Sequence, residues 1–185
     1  MAAAGDTPVL ILTGPPGTGK STTARLLAER HERAVHLESD HFFHFIRAGY
    51  VEPWTPESRE QNEVVMRIVA AAAAAYAAAG YLTIVDGIVL PRFFFEPLRD
   101  ALHQAGHPVA YAVLRAPLAV CLSRAGARDS WPLADPEVVE RLWHDFAELG
   151  ELEAHAVDVE AEAPAQAADL LAARLRDGSL QASRK

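Results

Sequence analysis

The sequence predicts one α/β domain, a parallel sheet with helices on both faces, and three observations predict it. The chain has 185 residues, 50% hydrophobic and 23% charged, enough for one ordinary core and too apolar for overall disorder. Short apolar runs alternate with longer stretches of helical spacing, and strands joined by helices of that length need crossover connections. The first apolar run ends in a glycine-rich turn that leads directly into a helical stretch. No internal repeat and no long linker divides the chain, so residues 1–185 are read as a single domain.

Residues 8–13, Pro-Val-Leu-Ile-Leu-Thr, form the first buried strand, and residues 21–31 a helix through Ala24, Leu27 and Ala28. A second strand spans 34–38, after which Ser39 or Asp40 can cap a helix carrying Phe42, Phe43, Phe45 and Ile46 toward Gly49. Pro53 and Pro56 bracket a loop around Trp54. From Pro56 a long helix runs through Val64, Val65, Ile68, Val69 and two alanine blocks, the best helix-forming residues, to a stop at Gly80. The third strand, 81–86, ends in Asp86-Gly87; a helix over 91–105, a strand over 108–114 and a helix over 117–127 follow. Beyond a loop with Trp131 and Pro132 the pattern predicts a helix over about 135–149, a fifth strand near 154–159 and a last helix over about 164–176. Residues 177–185 are expected to fray.

Seventeen Lys and Arg against 25 Asp and Glu leave a net charge of −8. That balance argues against a protein that grips nucleic acid by bulk charge, so any phosphate must be held locally. The single Cys121 cannot form an intramolecular disulfide, which fits a reducing compartment. Residues 1–8 lack the basic and apolar segments of a secretory signal, and the longest apolar run, 69–79, falls short of the ~20 residues of a membrane span. The chain is therefore expected to be soluble and cytoplasmic, a monomer or homodimer, without nucleic-acid or membrane partners.

Gly14-Pro15-Pro16-Gly17-Thr18-Gly19-Lys20-Ser21 fits G-x-x-x-x-G-K-[ST] between a strand and a helix, the context a phosphate-binding loop requires. Glycines let successive backbone N–H groups converge, the helix presents its positive end, Lys20 can bridge terminal phosphates, and the Ser21 hydroxyl can hold Mg²⁺. The candidate nucleotide contacts are Gly14, Pro15, Gly17, Thr18, Gly19, Lys20, Ser21 and Thr22, and the ligand is a nucleoside triphosphate, read as ATP with Mg²⁺. Two acids stand at strand ends, where open parallel sheets place ligands. Asp40 suits orienting or deprotonating an acceptor hydroxyl, or capping a helix; Asp86 suits the metal side and the substrate, or a strand-end turn. Arg124 and Arg128, four apart on one helix face, can close over ATP or remain an exposed pair. Arg47, Trp54 and Arg59 stand where an acceptor would enter, and Arg92 is a further basic candidate. The histidines show no metal-ligand spacing joined to Cys; His41 and His44 are expected as partly buried rings, and Phe93-Phe94-Phe95 as core.

On these residues the chain resembles the small P-loop kinases of metabolites, of the gluconate kinase, shikimate kinase and chloramphenicol phosphotransferase kind. The likeness spans nearly the whole chain and is most specific at Gly14 to Ser21. Glu38-Ser39-Asp40 looks like the second-strand acid of those kinases. Cys121-Leu122-Ser123-Arg124-Ala125-Gly126-Ala127-Arg128, with Phe146-Ala147-Glu148-Leu149 later, looks like the lid and following helix of gluconate kinases. The resemblance implies a P-loop NTPase fold, a five-stranded sheet of order 2-3-1-4-5, a mobile lid over about 124–135 and an acceptor-binding region over about 41–62. It also implies that Asp40 activates the acceptor and that Arg124 and Arg128 touch ATP, with Lys20, Asp40 and Arg128 as the catalytic set. Residues 42–62 depart from the gluconate kinase pattern, and Gly87 stands alone where shikimate kinases carry a Gly-Gly pair. Phe42, Phe43, Phe45, Tyr50 and Trp54 suit a bulkier, partly apolar acceptor.

The function expected is transfer of the γ-phosphoryl group of ATP to a hydroxyl of a small molecule. Alternatives are a nucleoside or nucleotide kinase and an ATP-binding regulatory module. The chain lacks the N-K-x-D tetrapeptide of a GTPase, and 185 residues leave no room for the helical lid domain of an AAA-type motor.

Overall fold

In the computed structural model, which describes residues 8–127, 135–159 and 164–183, the first apolar run becomes β1 (Val9–Thr13), buried along its whole length. It lies between β3 (Leu82–Asp86) and β4 (Val109–Arg115) and pairs with both in parallel. β2 (Ala34–Glu38) adds outside β3 and β5 (Ala156–Asp158) outside β4, so the sheet is all parallel with the order 2-3-1-4-5 that the family likeness implied.

Alternation along the strands feeds two cores. Val9 and Ile11 of β1, Val85 of β3, and Tyr111 and Val113 of β4 face α3 (Arg59–Ala78), through Val65, Val69 and Ala73, and α4 (Glu96–Gln104), through Leu98 and Leu102. Leu10, Leu12, Ile84, Ala112 and Leu114 face the other way, onto Ala24 and Leu27 of α1 (Lys20–Ala28) and Leu171 of α7 (Pro164–Arg176). A central strand covered on both faces has no polar face, which explains its unbroken apolar run. α2 (Ser39–His44), α5 (Leu118–Gly126) and α6 (Pro136–Asp145) complete the α-helices among the described residues.

Four sequence expectations change. The helix expected from residue 91 opens as a π-helical turn, Pro91–Phe95, in which the amides of Phe93, Phe94 and Phe95 all reach the Leu90 carbonyl. Pro97 has no N–H to close the α-helical bond to Phe93. The helix expected to reach 149 ends at Asp145, because Arg115 donates to the Phe146 and Ala147 carbonyls and also pairs with Glu153, drawing that segment onto the end of β4. His41 and His44 are exposed rather than partly buried, on a helix only six residues long. The tail does not fray through residue 183: Leu180 is fully buried, the Tyr111 amide donates to the Leu180 carbonyl, and the Ala182 amide donates to the Val109 carbonyl. β5 pairs only with Val113–Arg115, so the first half of β4 has backbone groups to offer, and the returning tail takes them.

Candidate functional site

The glycine-rich loop leaves β1 at Gly14 and enters α1 at Lys20, with Gly19 in the left-handed region as its N-cap. No side chain caps α1 and no acid stands in its first turn, so its amide end is left to an anion. Gly17 has φ +82°, and a Cβ there would lie 2.4 Å from the Cys121 carbonyl oxygen, so α5 backbone packs directly against the loop. α5 also carries Arg124 to it, with Nη1 3.5 Å from the Gly17 carbonyl. Within the loop, the Thr18 hydroxyl and the Lys20 ammonium each donate to the Pro15 carbonyl at 2.9 Å, so Lys20 lies folded back along the loop. Ser21 is half-buried and Thr22 exposed on the first turn of α1. Arg128, Trp131 and most of the expected lid lie outside the described residues.

Asp86 ends β3 with its carboxylate buried and Oδ2 3.0 Å from His36 Nε2. Asp40 lies one strand over, inside the first turn of α2; the cap position is Glu38, without a side-chain cap bond, so Asp40 does not serve as N-cap. Asp40 is exposed, yet the protein packed around its carboxyl still displaces part of its water. That desolvation raises its carboxyl above the ordinary carboxylate range, with Lys20 opposing and the Asp86 charge adding to the rise. Lys20 and Asp86 are thus each within electrostatic reach of Asp40.

A cavity of about 770 Å³ opens beside Asp40. Its walls come from the loop with Pro53, Trp54 and Thr55, from Arg59, Asn62, Glu63 and Met66 on one face of α3, from Ile88, Leu90, Phe93 and Phe94 after β3, and from Arg141, Leu142 and Asp145 on α6. The Trp54 loop is tied to α3. Gln61 exchanges two hydrogen bonds with the Val51 backbone, and the Pro53 carbonyl accepts from Asn62 Nδ2 and the Ser58 hydroxyl.

Of the expected acceptor residues, the structure brings Asp40, Trp54 and Arg59 to the cavity, Arg59 with its Nε 3.1 Å from Glu63. Arg47 is exposed and outside its walls, Asp86 is buried and not among its walls, and the Arg92 side chain lies outside what is described. The phenylalanine run divides. Phe95 is core, its ring centroid 4.1 Å from that of Tyr111, but Phe93 is 70% exposed and lines the cavity with Phe94. Asn62, Met66, Arg141, Asp145 and the His36 contact to Asp86 were not foreseen. The spacing of 59, 62, 63 and 66 on one helix face was the available signal for the α3 wall; nothing local marks α6.

Ser21 and Asp86 offer hydroxyl and carboxylate oxygens, the hard donors Mg²⁺ prefers while it keeps several waters and nucleotide phosphates. The described residues hold no group of three or more His, Cys, Asp or Glu that would form an all-protein metal cage. No helix among them is long and apolar enough to cross a membrane.

Residues 9–152 match the AAA domain family. No curated protein matches the chain. Among solved structures, the tunicamycin resistance protein of Deinococcus radiodurans is 24% identical with a TM-score of 0.68, over 96% of this chain and 99% of that one. A gluconokinase from Sinorhizobium meliloti 1021 has 17% identity and a TM-score of 0.68, over 94% of each chain. A shikimate kinase from Acinetobacter baumannii in complex with shikimate has 21% identity and a TM-score of 0.61, over 96% and 98%. Likeness at this level of identity establishes the fold.

Proposed function

The chain belongs to the AAA domain family, and from that premise we propose that it is a cytoplasmic, ATP- and Mg²⁺-dependent phosphotransferase acting on a hydroxyl of a small molecule. One observation carries the reading: Asp40 both lines the large cavity and interacts electrostatically with Lys20 of the phosphate loop, so a single carboxylate stands between a donor site and an acceptor site. Two structural neighbours that are kinases support the reaction type. Membership speaks for a nucleotide-binding core: the match over residues 9–152 includes the phosphate loop and strands β1 to β4.

In this reading ATP lies along the loop with its phosphates at the amide end of α1. Lys20 leaves the Pro15 carbonyl for the terminal phosphates, and Arg124 approaches from α5, both offsetting charge on the transferring group. Ser21 and Asp86 would hold Mg²⁺, which when bound would neutralise phosphate charge. Asp40 accepts the proton of the attacking hydroxyl as the oxygen–phosphorus bond forms and the bond to ADP breaks. Arg128, expected in a lid from the resemblance to gluconate kinases, is proposed to join Arg124.

The cavity favours a bulky, partly apolar acceptor. A small anionic metabolite or a nucleotide would bring negative charge to a wall that holds three acids, Asp40, Glu63 and Asp145, against Arg59, already paired with Glu63, and Arg141. The test is a phosphorus NMR or mass-spectrometric screen of hydroxyl compounds with Mg·ATP. Transfer to larger hydroxylated compounds is expected. Transfer confined to small anions would overturn the acceptor class, and ATP binding with no transfer to any compound would favour a regulatory module.

A further inference from the structure

His36 and Asp86 meet across the pairing of β2 with β3, in which His36 is in register with Ile84. Ile84 belongs to the apolar set that packs on α1, and Asp86, two residues on, leaves the sheet on the same face. Ser21 lies in the first turn of that helix. The Asp86 side chain is 3% exposed, and its Oδ2 lies 3.0 Å from Nε2 of His36, itself only 15% exposed. An ionised carboxylate only accepts, so Nε2 carries the hydrogen of this bond. Asp86 Oδ1 makes no hydrogen bond among the described residues, yet it is not enclosed: the one fully enclosed side-chain atom without a partner among them is Asn62 Oδ1. One oxygen of this buried acid is held, and the other is open.

A carboxylate turns easily about its last bond, because that torsion has no sharp staggered wells. A donor fixed on one oxygen therefore sets where the other one stands, which is how outer partners orient the ligands of a metal. Resting on the reading of Asp86 as an oxygen donor to Mg²⁺, we infer that His36 is a positioning residue. By donating from Nε2 to Oδ2 it fixes the Asp86 carboxylate and leaves Oδ1 free for the metal or one of its waters. His36 acts through Asp86 and is not itself a ligand, and it stands outside the walls of the acceptor cavity. Without its N–H, Oδ2 is left buried and unpaired, and the carboxylate gains by turning, which carries Oδ1 out of place.

The test uses the full chain and a non-hydrolysable ATP analogue, whose affinity is measured by calorimetry with Mg²⁺ and with a chelator. Mg²⁺ is expected to tighten binding in the wild type, and Asp86→Asn to lose that gain. His36→Phe, a ring without the donor, should cut the gain about tenfold or more and leave the metal-free affinity unchanged. His36→Gln, whose amide N–H reaches about as far as Nε2, should restore most of it, and His36→Phe added to Asp86→Asn should cost nothing further. In the wild type, nitrogen NMR should find a hydrogen on His36 Nε2, and Mg²⁺ added to the analogue-bound chain should shift that resonance; this reading stands even where the variants do not fold. A full gain in His36→Phe beside its loss in Asp86→Asn overturns this inference alone. So do equal losses with and without the metal, no recovery in His36→Gln, or an Nε2 that lacks the hydrogen or ignores Mg²⁺. A wild type that gains nothing from Mg²⁺, or an Asp86→Asn that keeps the gain, overturns the metal role of Asp86 and this inference with it. No phosphoryl transfer is measured, so a chain with no acceptor can still pass.

Discussion

Asp40 and Asp86 are both carboxylates near strand ends, yet their surroundings ask different things of them. Asp86 is buried against His36 and sits in register with Glu38 and Leu12, a fixed oxygen donor. Asp40 is exposed, yet partial desolvation by the surrounding protein raises its proton affinity, as suits a base that must take a proton and give it up. Asp40→Asn should lower the transfer rate by about 100-fold or more while leaving ATP affinity unchanged, read by steady-state kinetics and calorimetry. The wild-type rate should fall on its acid side at a pH above the ordinary carboxylate range, a limb that disappears in Asp40→Asn. Because the folded chain holds this proton more tightly than the unfolded one, ionised Asp40 costs stability above its folded pKa, and the cost fades as pH falls toward the unfolded value. Asp40→Asn should therefore melt higher than wild type at neutral pH and no higher in acid. Both acids were legible in the sequence because each ends a recognisable apolar run; the His36 contact was not, because His36 and Asp86 are 50 residues apart and meet only when β2 pairs with β3.

Two glycines let the proposed donor and acceptor halves of the site be tested apart. At Gly17 a Cβ would drive into the Cys121 carbonyl, backbone that cannot yield, and the positive φ adds strain; Gly17→Ala should abolish ATP binding measured by calorimetry. At Gly87, after β3, a Cβ would stand 1.9 Å from Ser39 Oγ at the start of α2. Gly87→Ala should push α2, and Asp40 with it, out of line, lowering turnover by about tenfold or more with ATP affinity retained. Ser39→Gly in the same chain removes both obstructing atoms and should recover much of the rate. The phosphate loop was legible because eight consecutive residues build it. The cavity was only half legible: residues 53–66 are local to α3, but Arg141 and Asp145 join them from a helix that follows β4, and Phe93 is turned outward by the π-helical opening ahead of α4, which hydrophobicity does not reveal.

The molecule as a whole is closed by its tail. Leu180 is fully buried and residues 180–182 bond to the half of β4 that the short β5 leaves open, so removing residues 178–185 should cost about 3 kcal/mol in urea unfolding. The residues themselves determined the α/β alternation, the phosphate loop and the acids at strand ends, because periodicity, glycine placement and apolar runs are properties of neighbouring residues. The strand order came with the family likeness, since spacing alone does not choose among parallel orders. Tertiary structure alone decided the returning tail, the pairing of His36 with Asp86 and the joining of α3 to α6 around one cavity. Each depends on which distant segments pack together, and no local pattern encodes that.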